Sequence, residues 1–139
     1  MVVALRKGKP DSVNPEPPPF TPAEITRRYH LFRRQMASTA EYLDLLDGPI
    51  YGYGAAQMLP VLAYHMETDL ACLSAIIDDD PDKDGLGYWN LPVKVIHGAK
   101  VGGLGDASVL ITAVDNVQPI MKRLLADRPR HILFPFNLI

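Results

Sequence analysis

Cysteine is almost missing from this sequence, and its scarcity excludes two kinds of site. Cys72 is the one cysteine among 139 residues, so the chain cannot close an internal disulfide or build a zinc site from several thiolates. Cys72 lies in the apolar run A-C-L-S-A-I-I, which predicts a small buried side chain. The four histidines are scattered without zinc-ligand spacing. We therefore expect no metal site, and we expect a cytoplasmic protein.

The sequence also lacks a strong charge imbalance and a long apolar run. Fourteen basic residues stand against sixteen acidic ones, for a formal net charge of −2, so we expect no nucleic-acid partner. The apolar runs have the length of strands, so we expect no membrane partner either. Hydrophobic residues make up 47% of the chain and charged residues 22%, which is typical of a packed globular domain.

Proline is unevenly distributed, and its distribution divides the chain. The first 20 residues hold five of the thirteen prolines, including P-P-P at 17–19. Such a segment favours extended polyproline geometry and buries little surface. We interpret residues 1–20 as a flexible tail or linker and residues 21–139 as one folded domain. A linker here leads us to expect a further domain upstream.

A long amphipathic helix is predicted directly after the linker. Thr21, Pro22 and Glu24 form the pattern of a helix start with a capping box, and Gly48 with Pro49 ends the helix. Apolar residues recur at steps of three or four, which indicates one apolar stripe: Ile25, Tyr29, Phe32, Met36, Ala40, Leu43 and Leu46. The four arginines of this segment, at 27, 28, 33 and 34, fall mostly off the stripe and are expected to face solvent.

After the helix, strand-length apolar segments alternate with helical ones. The predicted strands cover 49–53, 71–78, 93–97, 108–113 and 131–136, and the predicted helices cover 55–67 and 117–126. Strand-helix-strand repetition requires right-handed crossovers, and strands this apolar fit a sheet covered on both faces. We predict an α/β, Rossmann-like three-layer sandwich. Its mostly parallel five-stranded sheet has the order 3-2-1-4-5 and follows the long helix.

The stretch I-Y-G-Y-G-A-A-Q contains two glycines where the first predicted strand meets its helix. In a dinucleotide-binding turn, such glycines form the bend and let a phosphate approach the backbone. Gly52 and Gly54 fit that pattern, but Gln57 occupies the position of the third glycine. Asp78 ends the second strand, where a ribose-binding acid would stand. A phosphate site and a purely structural turn explain the two glycines about equally well.

The loop after the second strand, D-D-D-P-D-K-D-G, contains a partial calcium-loop pattern. Asp80, Asp82, Asp84 and Gly85 match its first half, but Leu91 stands where the bidentate glutamate is required. We favour a solvated turn in which Asp78 or Asp79 points at a ligand.

Other polar residues follow the later strands. His97 ends the third strand, and Asp115 with Asn116 follows the fourth. We favour a structural role for His97, and for Asp115 and Asn116 a role as caps of the next helix. No nucleophile-base pair stands out, so the motifs alone predict no reaction.

Taken in order, the motifs resemble the C-terminal domain of sugar C-methyltransferases, which methylate a carbon of nucleotide-linked deoxysugars. In that family a G-Y-G-A turn follows a long helix, and a D-x-(N/D)-P-x-K-x-G loop follows the second strand. The resemblance covers roughly residues 22–139. It assigns substrate or nucleotide binding to Gly52, Tyr53, Gly54, Ala55, Asp80, Pro81, Lys83 and Gly85, with Lys83 as a point charge for a diphosphate; to these we add Asp78.

The resemblance also implies which parts of an enzyme this chain lacks. Complete enzymes of the family have a zinc-binding domain and a domain that binds S-adenosylmethionine before this one. We therefore expect this chain to hold the nucleotide-sugar substrate and to bind no cofactor itself. Catalysis would then need a methyltransferase core in trans. The family has small and basic residues where this chain has Gln57 and Met58, which weakens the case for phosphate binding at the turn.

Two other hypotheses stay open on the sequence. One is a free-standing Rossmann-like module that binds a nucleotide such as NAD, which Asp78 favours and Gln57 disfavours. The other is a non-catalytic interaction domain, in which the long helix and the Tyr and Trp side chains serve assembly. A homo-oligomer formed through the first helix is compatible with either.

Overall fold

The structure is a computed structural model that describes residues 20–135. The tail predicted at 1–20 therefore lies outside the described residues except for Phe20. The α-helices are α1 (Pro22–Asp44), α2 (Leu59–Met66) and α3 (Val117–Asp127). The strands are β1 (Ile50–Tyr53), β2 (Ala75–Asp78), β3 (Val95–His97), β4 (Ser108–Ile111) and β5 (His131–Leu133). No helix within residues 20–135 is long and apolar enough to cross a bilayer.

The strands stand in the predicted order, β3-β2-β1-β4-β5, and all five are parallel, where the sequence predicted a mostly parallel sheet. Every residue of β2 and β4 is buried, because helices cover both faces of the sheet. The chain fills one side of β1 with β2 and β3 and then crosses to the other side with β4. The carboxyl ends of β1 and β4 are therefore the switch point, where open α/β sheets bind ligands.

Helices on opposite faces of the sheet make three layers. One apolar cluster joins Met36 and Leu43 of α1 and Leu62 of α2 to Ile76 of β2. A second cluster joins Ile120 and Leu124 of α3 to residues of β1, β2 and β4 that point to the other face. Alternate strand residues thus belong to different clusters, as the pleat requires. The predicted Rossmann-like α/β sandwich is the observed fold.

The start of α1 follows the predicted capping box. The Thr21 hydroxyl accepts a hydrogen bond from the Glu24 N–H at 3.2 Å, and the Glu24 carboxylate accepts from the Thr21 N–H at 2.8 Å. The predicted apolar stripe is only partly used. Met36 and Leu43 are buried, but Ile25 and Tyr29 in the first three turns are exposed. The first half of α1 therefore carries an apolar face that the described chain does not cover.

Several predicted boundaries and one predicted burial were wrong. The second strand begins at Ala75 rather than at residue 71, because Leu70 takes a left-handed conformation (φ 58°) and residues 71–74 form turns and bends. The helix predicted at 55–67 begins only at Leu59. Cys72 lies in the turn that precedes β2, and it is exposed rather than buried.

Candidate functional site

A crevice of about 350 Å³ opens at the switch point of the sheet. Its floor is the carboxyl end of β1, and its walls come from the loop after β2 and from the start of α3. Residues from all three segments line it: Tyr53, Gly54, Ala55, Ala56, Asp78, Asp79, Lys83, Ala113, Asn116, Pro119 and Ile120. The crevice is the candidate site because parallel α/β sheets bind ligands at this place.

The turn after β1 has little hydrogen-bonding capacity left for a ligand. The Gly54 N–H donates to the Ile77 carbonyl at 2.8 Å, and the Ala56 N–H donates to the Gly54 carbonyl at 2.9 Å. Between them, the Ala55 N–H donates to the Asp78 carboxylate at 2.7 Å. A phosphate-binding turn needs N–H groups that point freely at the anion. These three are already bonded within the protein.

The two glycines of the turn are explained by packing. A Cβ on Gly52 would lie 2.3 Å from the Ile76 side chain and 3.2 Å from that of Thr112. Gly54 has φ of +99°, and a Cβ there would lie 2.3 Å from the Cβ of Ala113. Both glycines therefore let β1 pass close to neighbouring side chains. This geometry favours the structural turn over the phosphate cradle.

Asp78 holds the turn and the next loop together. Besides the bond from Ala55, its carboxylate accepts from the Asp80 N–H at 2.9 Å and from Lys83 Nζ at 3.1 Å. Burial acts to raise the pKa of Asp78, but the hydrogen bonds from Asp80, Ala55 and Lys83 outweigh it, so the pKa lies below its ordinary value. Asp78 is therefore an anion with three donors. It is a structural group of the site rather than a free acceptor for a ribose.

Lys83 is the cation that faces the crevice. Its ammonium group contacts Asp78 at 3.1 Å and the Ala55 carbonyl at 3.5 Å, and its side chain is 38% exposed. A short 3₁₀ turn over Pro81–Lys83 carries it, and the Asp80 carboxylate caps that turn. Lys83 is thus held at the crevice while part of its surface stays open to an anionic ligand.

A second polar group surrounds Asp79, which also lines the crevice. The Tyr53 hydroxyl donates to the two Asp79 carboxylate oxygens at 3.0 and 3.1 Å, and Arg123 of α3 pairs with the same carboxylate. Burial raises the pKa of Tyr53, and the bond to Asp79 raises it further. The tyrosine hydroxyl therefore stays protonated and acts as a donor. It is unsuited to act as a base at neutral pH.

The wall formed by α3 begins at Asn116. The Asn116 side chain makes no capping hydrogen bond to the first turn of α3, although the sequence had favoured a cap there. Asn116, Pro119 and Ile120 present one amide and two apolar side chains to the crevice. This wall is therefore chemically mixed, whereas the opposite wall is charged.

The structure brings only some of the predicted binding residues together. Tyr53, Gly54, Ala55, Asp78 and Lys83 line the crevice. Gly52 is packed inside β1, and Asp80 and Pro81 belong to the 3₁₀ turn behind Lys83. Gly85 lies further along that loop, where its N–H donates to the Val95 carbonyl at 2.9 Å. Ligand contact by any of these residues stays a prediction.

The described chain offers little for metal binding or covalent chemistry. Within residues 20–135, no group of three or more His, Cys, Asp or Glu side chains is placed to hold a metal ion. In the partial calcium loop, Asp84 instead accepts the His97 N–H at 2.8 Å and pairs with Lys100. The side chains that line the crevice include no serine, cysteine or histidine. The charged side chains that do line it, and the Tyr53 hydroxyl, are bonded to one another or to the backbone: Tyr53 to Asp79, and Lys83 and the Ala55 N–H to Asp78.

Arg123 and its contact with Asp79 were not predicted from the sequence. Arg123 lies seven residues after Asn116, so the two are two turns apart on the same face of α3. That spacing could have indicated a second residue facing the carboxyl edge. The partner Asp79, 44 residues away, can be recognised only once the sheet order is known.

Comparison with known proteins gives no family for this chain. No protein-family model matches it, and no match is found among curated proteins or solved structures. A function is therefore proposed from the sequence motifs together with the fold and the crevice.

Proposed function

We propose that this chain holds the nucleotide-linked sugar substrate of an S-adenosylmethionine-dependent C-methyltransferase. The methyl donor and the base come from a methyltransferase core that acts in trans or elsewhere in a longer protein. The chain itself contributes a substrate site at the carboxyl edge of its sheet, and it is not catalytic alone.

One observation supports this proposal above the others. The two motifs on which the family resemblance depends, G-Y-G-A and D-D-P-D-K, lie about 25 residues apart in sequence, and both contribute to the lining of one crevice. They are joined there by the bonds from Ala55 and Lys83 to Asp78. Two motifs that share a function would be expected to meet at the site of that function.

The size and the charge of the crevice fit a partial site. Its volume, about 350 Å³, is at the lower end of small-molecule pockets. It can enclose a diphosphate or one sugar ring but not a whole nucleotide sugar. Lys83 supplies a positive charge for the diphosphate. The rest of the ligand would contact another domain, as the proposed division of labour requires.

Isothermal titration calorimetry tests the proposal with four ligands: dTDP, a dTDP-linked deoxysugar, NAD and S-adenosylmethionine. We expect micromolar binding of dTDP and its sugar conjugate, and no binding of S-adenosylmethionine. Replacement of Lys83 by methionine removes the charge but keeps the length of the side chain, so we expect about a tenfold loss of dTDP affinity. The matched control is Lys122→Met, because Lys122 is exposed on α3 and does not line the crevice.

Each outcome of the titration has a distinct meaning. Equal losses of affinity in the Lys83 and Lys122 variants would show that dTDP binds outside the crevice. Binding of NAD alone would favour the free-standing nucleotide module, although Asp78 already accepts three hydrogen bonds within the protein. If the isolated chain binds none of the four ligands, the titration is repeated with a methyltransferase core added, and continued absence of binding would contradict the proposal.

A further inference from the structure

The connection from β3 to β4 crosses the sheet without an α-helix. Parallel strands are usually joined by a crossover helix, but residues 98–107 contain only the short 3₁₀ turn Gly98–Lys100. This connection packs on the α3 face of the sheet through Leu104. Beside it lies a pocket of about 260 Å³, which we call the loop pocket. Its lining comes from the sheet, the connection and α3, and includes Tyr53, Ile77, residues 101–104, Arg123 and Asp127.

The loop pocket adjoins the crevice at Tyr53, which lines both. An ion pair lies at the same boundary, because Asp79 lines the crevice, Arg123 lines the loop pocket, and the two are paired. The Tyr53 hydroxyl donates to Asp79, and the Tyr53 ring centre lies 5.7 Å from Cζ of Arg123. Gly98 lies against this pair, since a Cβ there would be 2.8 Å from Asp79 Oδ1. The two cavities are therefore neighbours with side chains between them.

Two glycines of the loop pocket are not explained by packing. A Cβ on Gly102 or Gly103 would meet nothing within 4 Å, whereas Gly52 and Gly54 have close neighbours. Gly103 has φ of +146°, but Gly102 has no positive φ, so nothing in the described chain requires glycine there. The N–H groups of Gly102, Gly103 and Leu104 donate no hydrogen bond within residues 20–135. This loop therefore offers open backbone and unused donors to a ligand.

The charge of the loop pocket disfavours a phosphate. Arg123 is the one cationic side chain in its lining. Arg123 pairs with Asp79, and its Nε lies 3.6 Å from Asp127 Oδ2. Carboxylates from two segments therefore balance its charge, and no net positive charge remains for a phosphate. A ligand group that enters this pocket should be neutral.

The lining combines apolar walls with polar groups. Ile77, Val101 and Leu104 supply apolar side chains. The Asp127 carboxylate accepts no hydrogen bond from the described part of the chain, and its 3.6 Å contact with Arg123 is too long to be one. Asp127 can therefore accept N–H groups of a ligand, while the loop N–H groups can donate to ligand oxygens or ring nitrogens. A flat ring that carries both kinds of group on its edge is a nucleobase.

We propose that the loop pocket binds the nucleobase of the nucleotide-linked ligand whose diphosphate lies at Lys83 in the crevice. The ligand then extends from the crevice past Tyr53 and Asp79 into the loop pocket. The Asp79 side chain is 57% exposed and stands at the boundary, where it can accept a hydrogen bond from a pentose hydroxyl. A volume of about 260 Å³ is below the range of pockets for whole small molecules, as a subsite for one base requires.

This inference rests on the proposed function, because it needs a nucleotide-linked ligand with its diphosphate in the crevice. It adds a second contact region on the same chain. The part of the ligand left to another domain is then the sugar that is methylated.

Two probes, each carrying one part of dTDP, separate the two subsites in the whole chain. Inorganic pyrophosphate carries only the anionic part, and thymidine carries only the base and the pentose. Chemical shifts measured by NMR follow the binding of each probe, and isothermal titration calorimetry follows dTDP. The backbone signals of Gly102 and Gly103 should move with thymidine and dTDP but not with pyrophosphate.

Gly102→Leu adds a side chain at the loop pocket without a clash, since the Cβ position is open. We expect it to weaken binding of dTDP and thymidine at least about tenfold and to leave pyrophosphate binding unchanged. Lys83→Met should instead weaken dTDP and pyrophosphate and leave thymidine unchanged. Gly105→Leu is the matched control, because its Cβ position is equally open but Gly105 does not line the pocket. If Gly102→Leu does not fold, Asp127→Ala replaces it, with the exposed Asp106→Ala as control.

Failure of the base subsite and failure of the proposed function give different results. Binding of dTDP that depends on Lys83, with equal affinities in the Gly102 and Gly105 variants, would overturn the base subsite alone. Loss of pyrophosphate binding in Gly102→Leu would assign the phosphates to the loop pocket and would also overturn it. Weaker thymidine binding in Gly102→Leu, with no effect of Lys83→Met on any ligand, would support the loop pocket and contradict the crevice as the diphosphate site. If no ligand binds the chain, alone or with a methyltransferase core, both proposals are contradicted.

Discussion

The two turns that border the crevice differ in how they satisfy their polar groups. The turn after β1, at Gly54–Ala56, has its three N–H groups bonded to carbonyls or to Asp78. The turn after β4 ends at Asn116, whose side chain makes no capping bond to α3. The first turn carries the glycines that a sequence search would select, and it is the more closed of the two.

This difference changes how glycine-rich turns should be interpreted. Gly52 and Gly54 were equally compatible with a phosphate and with a structural bend when only the sequence was considered. The distances to Ile76 and Ala113 favour the bend, because both Cβ positions are already occupied by neighbouring side chains. Where a neighbouring side chain leaves no room for a Cβ atom, the glycine is explained by packing, and it is weak evidence for a ligand. The charged residue on the neighbouring loop, Lys83, is the better indicator of binding.

The largest loss of stability is expected when the turn after β1 is disrupted. Gly54→Ala should lower the free energy of unfolding by about 3 kcal/mol, because the substitution combines a positive φ with a clash against Ala113. Chemical denaturation measures it. Gly85→Ala is the matched control, since Gly85 has φ of +81° but open space around its Cβ position. We expect about 1 kcal/mol there. Equal costs at both positions would mean that the packing against Ala113 is unimportant.

A smaller effect is expected when the charge that closes the turn is removed. Asp78→Asn keeps the shape of the side chain but loses the ion pair with Lys83 and weakens the bonds from Ala55 and Asp80. We expect a loss of about 2 kcal/mol at neutral pH. Asp82→Asn, on the exposed part of the same loop, should change stability by less than about 0.5 kcal/mol. A neutral result for Asp78→Asn would contradict its role in closing the turn.

The same substitution predicts a change in acid stability. The pKa of Asp78 is lowered by folding, so its contribution is complete above the ordinary carboxyl pKa of 3.8 and is lost as the pH falls through the folded value. The parent chain should therefore lose stability more steeply than Asp78→Asn below about pH 4. Thermal melts across this range measure both slopes, and parallel slopes would argue against a lowered pKa.

The smallest loss of stability is expected when the ion pair on the α3 side is removed. Arg123 pairs with Asp79, but the two side chains are 40% and 57% exposed. Arg123→Gln should therefore cost at most about 0.5 kcal/mol, since solvent weakens exposed ion pairs. If the variant instead destabilises the chain as much as Asp78→Asn does, the two walls are equally important for folding, and the comparison between them fails.

The fold could be predicted because its signals are local and repeated. Apolar strands that alternate with helices predicted the parallel sheet, and its order was predicted by analogy with doubly wound folds. Thr21 with Glu24 predicted the start of α1. The boundaries of β2 and α2 were wrong because single residues decide them. Leu70 adopts a left-handed conformation that non-glycine residues seldom take, which delays β2. Residues 54–56 form a hydrogen-bonded turn tied to Ile77 and Asp78, which delays the start of α2. Cys72 was misplaced for the same reason, since the apolar run around it continues through a turn.

The candidate site was only partly predictable because its contacts join distant segments. Asp78 was selected from its position at the end of a strand, but its bond to the Ala55 N–H depends on how β1 and β2 are aligned. Arg123 and Asp79 meet only after α3 has packed on the second face. Sequence patterns report the face and the edge on which a residue lies, whereas its partner follows from tertiary structure.

The three donors to Asp78 also have a consequence for how the crevice would respond to a ligand. One wall is preorganised: its carboxylate, its lysine and its backbone are already fixed in place by mutual bonds. On the α3 side, Arg123 makes an exposed ion pair across to Asp79, and Asn116 offers an amide without a capping bond. Conformational adjustment on binding would then be confined to one side. When a ligand is titrated, we expect large chemical-shift changes around Asn116 and Arg123 and small ones around Gly54.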